Sequence, residues 1–197
     1  MSAPPAHRGI AEDDPRNRGV IDFFRPKEVT PDSARETIAR AAPRLSAAEV
    51  QRHVDELMRR IAEKPHKPPP PLSQALEAVD DPLYGLSTHP DLVTRLWKLD
   101  ETLPQRCRWV CWGYPALVHP QTGVVFAVAY GTIGTVMRLP PDVLARASAE
   151  EAPVTIAGNP GQTFDIAPAG PEWRFLRRRT PETDWCRAAY DFAAAAD

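Results

Sequence analysis

The sequence is short of the features that define several large protein classes. It has three cysteines in 197 residues, Cys107, Cys111 and Cys186. They are too few and odd in number for a disulfide framework and fit a reducing compartment where thiols stay free. Its longest apolar runs, such as residues 124–130, are less than half of the roughly 20 residues a membrane-spanning helix needs. The first 19 residues have no apolar core and include acidic groups, which argues against a secretory or transit leader. A cytoplasmic location without membrane contact is therefore expected. Charge of one sign is not in excess either: 24 Lys and Arg face 26 Asp and Glu. Whole-chain electrostatics thus offers no case for nucleic acid or an anionic membrane as partner. Only 10 glycines occur, and none is arranged as GxGxxG or GxxxxGK[ST]. Dinucleotide and phosphate-loop chemistry have no support, nor does a GxSxG nucleophile elbow.

Proline, by contrast, is abundant: 23 residues, where average usage of about 5% would give about 10. Eleven fall in residues 1–71 and twelve in residues 72–197. The first third of the chain is thus almost twice as dense, and this divides it. Residues 1–19 are too polar to bury enough area to offset chain entropy. They lead to a small apolar island at residues 20–26, VIDFFRP. Such an island docks either onto the chain's own body or onto a partner, so residues 1–31 read as a disordered or docking arm.

Residues 32–71 read as a helical segment. Pro31 starts a short helix that Pro43 stops. A second helix opens on the capping box Ser46 to Glu49 and aligns Val50, Val54, Leu57, Met58 and Ile61 on one face. The two can pair as a hairpin. The run Pro68 to Pro71 then closes the segment as a stiff polyproline spacer.

Residues 72–197 read as an α+β domain. A short helix is expected over residues 73–79 and another over 91–99, with Leu92, Leu96 and Leu99 on one side. Strand formers then concentrate at residues 108–112, 116–118, 124–130 and 135–139, joined by short connections containing glycine. Short connections imply an antiparallel meander, because parallel strands need long crossovers. A helix begins near Pro141, residues 173–176 suggest an edge strand, and Thr180 with Pro181 opens a last helix bearing Trp185, Ala188, Ala189 and Phe192. The expected fold is therefore α+β: a small antiparallel β-meander packed with helices, preceded by a proline-rich, partly helical N-terminal arm.

Three functional readings follow. The first is a non-enzymatic, bacterial-type cytoplasmic interaction module, such as an immunity or adaptor protein. It would bind a protein partner through an aromatic sheet face and the arm. Phe23, Phe24, Arg25, Trp112, Tyr114, Tyr130, Arg138, Arg177 and Arg178 are its candidate contacts, since exposed aromatics with arginine have the composition of an interface hot spot. A helix covering the same sheet face is the ordinary alternative. The second is an enzyme or small-molecule binder with Cys111, His119, Tyr114, Tyr130 and Arg138 near one pocket. The ordinary readings are a buried thiol for Cys111 and an exposed turn residue for His119. The third is nucleic-acid binding through Arg174 and residues 177–179 beside Trp173 and Phe175; the 11 basic against 15 acidic side chains of residues 72–197 weigh against it. Scattered histidines and the CxxxC spacing define no metal site, and no cofactor is implied.

Overall fold

The computed structural model describes residues 7–63, 68–132, 134–150, 166, 169–176 and 182–195. The chain divides into two units, residues 26–69 forming one and the described residues of 7–25 and 70–195 the other.

The larger unit is built on a six-stranded antiparallel sheet whose spatial order is the sequence order. Its strands are β1 (Ser73–Gln74), β2 (Arg108–Cys111), β3 (Tyr114–Val118), β4 (Val125–Tyr130), β5 (Gly134–Arg138) and β6 (Trp173–Leu176). The α+β class and the meander are as the sequence predicts. Successive residues of β3, β4 and β5 are buried almost without alternation, so both faces of the sheet are covered. On one face α4 (Pro90–Asp100), α5 (Pro141–Glu150) and α6 (Glu182–Ala194) enclose a core of Leu92, Leu96, Phe126, Met137, Leu139 and Trp185. On the other face lies α1 (Pro15–Phe24), whose Val20, Ile21 and Phe24 pack on Val118, Val125, Val128, Val136, Trp173 and Phe175.

That helix is the main departure from the sequence reading, which leaves residues 15–19 without structure. Asp14 caps it, accepting from the Arg16 amide, and Pro15 occupies its first turn. Gly19 lets its backbone approach the sheet cover, where any side chain would collide with the Ala169 carbonyl. The buried Asn17 then joins three elements: its Nδ2 donates to the carbonyls of Ala11 (2.7 Å) and Gly123 (2.9 Å), and its Oδ1 accepts from the Val125 amide (2.8 Å). Residues 7–14 run ahead of α1 as a strap, with the Arg8 and Ala11 amides donating to Pro120 and Gly123. A second difference is small. Residues 73–79 are a two-residue strand followed by one 3-10 turn at Leu76–Ala78, because Ser73 and Gln74 pair with Cys111 and Val110.

The smaller unit is a helical pair, α2 (Pro31–Ala41) and α3 (Ala47–Glu63). Thr30 and Ser33 form a reciprocal cap on α2, and Ser46 and Glu49 do so on α3. Ala34, Val50 and Val54 are its buried core, flanked by Ile38, Leu45 and Met58.

Candidate interaction surface

The end of the sheet where β2 turns into β3 gathers most of the candidate residues. Cys111 pairs directly with Tyr114, so Trp112 and Gly113 alone make the turn. Both are left-handed, at φ +50° and +79°, the signature of a tight hairpin whose twist matches the strands. Glycine adopts this region freely. A bulky side chain does so rarely, and the cost is of order 1–2 kcal/mol. Trp112 is held there by its own side chain: the indole N–H donates to the Ile21 carbonyl (3.1 Å) and the Arg25 guanidinium lies 5.9 Å from the ring centre.

Beside it, Tyr114 and Tyr130 stand side by side on β3 and β4 with ring centres 5.4 Å apart. Phe24 contacts both, at 5.1 and 5.5 Å, and Phe23 lies 5.0 Å from Phe24 and 6.4 Å from Tyr130. Burial, with a smaller contribution from Tyr130, raises the pKa of the Tyr114 phenol. Phe24 is buried, Arg25 is exposed, and Phe23, Trp112, Tyr114 and Tyr130 are half-buried. The result is an aromatic ledge with one cation above it. Arg25 also lines an adjoining open cleft of about 290 Å³ along the outer side of α1, together with Glu12, Asp13, Arg18 and Asp22. Asp14, which also lines the cleft, is held by the Arg16 guanidinium, which sets its carboxyl below its ordinary value.

Of the two readings of the aromatic sheet face, an exposed contact surface or a face covered by a helix, the structure shows the second. The face is occupied by α1, because Val20, Ile21 and Phe24 have apolar area to bury and the sheet supplies the matching surface. What remains at the surface is the rim of that contact. Six of the nine candidates meet there. Arg138 does not: it sits at the other end of β5, buried, with Nε donating to Glu172 (3.2 Å) and its guanidinium 4.4 Å from the Phe192 ring centre. Arg177 and Arg178, like Arg179 and the expected cap at Thr180, lie outside the described residues.

The pocket expected for an enzyme does not assemble from its named members. Cys111 and Tyr130 lie at the ledge end of the sheet, whereas His119 and Arg138 lie at the opposite end, about 13 Å or more along the strands. Burial pushes the Cys111 thiol up to about 12 and raises Cys107 further, so neither supplies a thiolate near neutral pH. All three cysteines are buried. His119 is not the exposed turn residue expected: it is 3% exposed, with its ring 4.8 Å from that of Tyr190. Arg174 is half-buried on β6 opposite Met137. Among the described residues no three His, Cys, Asp or Glu side chains are grouped to hold a metal ion, and no helix is long and apolar enough to cross a membrane.

Sequence reasoning missed two features here. The left-handed Trp112 carries no signal besides the following glycine. The covering helix was legible only as an apolar island at residues 20–24. No protein-family model, curated protein or solved structure matches the chain.

Proposed function

We propose that this protein is a non-enzymatic protein-interaction module whose contact surface is the ledge of Phe23, Trp112, Tyr114 and Tyr130 with Arg25. The observation that carries this reading is Trp112. A glycine or asparagine would make the same turn with little strain, yet the position holds the largest side chain available and presents it half-buried beside two tyrosines and an arginine. Tryptophan, tyrosine and arginine are the residues on which interface energy concentrates. The adjoining cleft adds the exposed carboxylates of Glu12, Asp13 and Asp22 against Arg18 and Arg25. A partner offering an apolar or aromatic knob flanked by basic side chains matches both parts.

The test is affinity purification from the source cells with wild type and with an Arg25→Glu, Tyr114→Ala, Tyr130→Ala variant. The variant must first show an unchanged cooperative unfolding transition. The expected result is one stoichiometric protein retained by wild type and lost from the variant. A partner retained equally by both, or no partner on either, overturns the assignment.

A further inference from the structure

We propose that His7 and His119 form a proton-operated latch that holds the front of the N-terminal strap, residues 7–10, on the sheet and releases it in acid. His7 Nδ1 accepts from the Gly9 amide (3.0 Å), so the imidazole proton sits on Nε2, which donates to the Val118 carbonyl (3.1 Å). The ring also stacks on Trp109, with centres 4.5 Å apart and planes 14° from parallel. Both nitrogens are thus engaged in the neutral form. A second proton on Nδ1 would set a donor against the Gly9 N–H.

The strap next bonds to the β3–β4 turn, with Arg8 N donating to Pro120 O (3.0 Å) and Ala11 N to Gly123 O (2.9 Å). His119 closes that same turn: its carbonyl accepts from the Gly123 amide and its Nδ1 lies 3.3 Å from the Thr122 amide and 3.1 Å from Thr122 Oγ1. The Thr122 hydroxyl gives its proton to the Ala193 carbonyl on α6 (3.0 Å). Strap, turn and α6 therefore converge on two imidazoles.

The surrounding charges decide the direction. Toward His7 face Glu77 from the segment before α4, Asp100 from α4 and the neighbouring His119; the carboxylates and the Val118 carbonyl favour a proton, but burial outweighs them. Asp100 is already committed to Arg106, Arg108 and the Cys107 amide. Toward His119 face His7, Arg16 of α1, and Tyr190 and Asp191 of α6. Burial, His7 and Arg16 all oppose its protonation, and only Asp191 favours it. Both histidines are therefore held below the ordinary value of about 6.5. A depressed histidine leaves the fold at full stability above the unfolded-state value. Stability is then lost as pH falls from about 6.5 through the lowered folded values, where binding protons favours release.

Release stays local because the strap and α1 are anchored differently. Residues 7–10 bury only Ile10 among apolar side chains, whereas Ala11 and Asp14 are tied to α1 through Asn17 and the helix cap, and α1 buries Val20, Ile21 and Phe24. Segments with few buried contacts open without global unfolding. The opened state uncovers Trp109 and the Val118 end of β3.

Amide hydrogen exchange, corrected for the intrinsic effect of pH, tests the latch. Between pH 7.5 and 5, protection of the Arg8 and Ile10 amides should fall about tenfold or more, while amides inside β4 and β5 change less than about twofold. In a His7→Gln, His119→Gln double variant, whose amides mimic neutral imidazole, the strap's pH response should vanish. Equal loss in strap and sheet, no loss in wild type, or an undiminished response in the double variant overturns the proposal. If the variant fails to fold, imidazole titration of wild type decides: both rings titrating below the ordinary value in step with the strap amides supports the latch, and ordinary titration refutes it.

Discussion

Asn17→Ala examines whether the N-terminal segment is part of the folded domain or a loose attachment to it. The side chain is fully buried and makes three hydrogen bonds. Two of the three partners keep a second bond after truncation: Gly123 O still accepts from Ala11 N, and Ala11 O from Asp14 N at 3.3 Å. The Val125 amide does not, and an orphaned buried donor costs about 1–3 kcal/mol. Losing the two side-chain bonds to those carbonyls adds about 1 kcal/mol more. The expected destabilisation is thus about 2–4 kcal/mol, or about 4–16 °C in the unfolding midpoint for a chain of this size. Urea unfolding followed by tryptophan fluorescence measures it, with all five tryptophans in residues 72–197 as reporters. A loss below about 0.5 kcal/mol would mean that strap, turn and β4 are not joined through this side chain.

Other consequences can be measured on the same preparations. Trp112→Gly should relieve about 1–2 kcal/mol of left-handed strain but forfeit the bond to Ile21 and the packing of the ring, for a net loss of about 1–3 kcal/mol in urea unfolding. Asp100→Asn should cost about 3–5 kcal/mol in the same assay, since the buried carboxylate is held by Arg106, Arg108 and the Cys107 amide. The native protein at pH 8 should give no measurable reaction with a thiol-titrating reagent within minutes, and three thiols per chain once unfolded, because burial keeps Cys107 and Cys111 protonated and covered.

Much of this fold is written in local pattern, and the exceptions have identifiable causes. The meander was legible because its strands are joined by short connections containing glycine. The first of these turns is tighter than the pattern suggests: residue 112 reads as strand, but Trp112 and Gly113 alone make the turn and leave Cys111 directly opposite Tyr114. The helical pair was legible because Ser46 and Glu49 mark a start and Val50 and Val54 recur at one helical step. Helix α1 was not, because Gly19 lowers its propensity and the three charged residues Arg16, Arg18 and Asp22 interrupt its apolar pattern. It forms because Val20, Ile21 and Phe24 find a sheet face that only the tertiary fold creates. His119 reads as a surface turn residue for the same reason, since nothing local announces that Tyr190 will cover it. The candidate surface was half legible. Residue type marked the aromatics and Arg25, but which of them α1 would bury was decided by long-range packing.

The ledge is the functional claim, and site-specific photo-crosslinking tests it most directly. A photoreactive phenylalanine analogue replacing Tyr130, and the same group at the exposed Thr94 of α4 as control, would be irradiated in the source cells. The expected result is one discrete adduct to another polypeptide from position 130, abolished by Arg25→Glu, and none from position 94. Adducts of equal yield from both positions, or none from position 130, would contradict it.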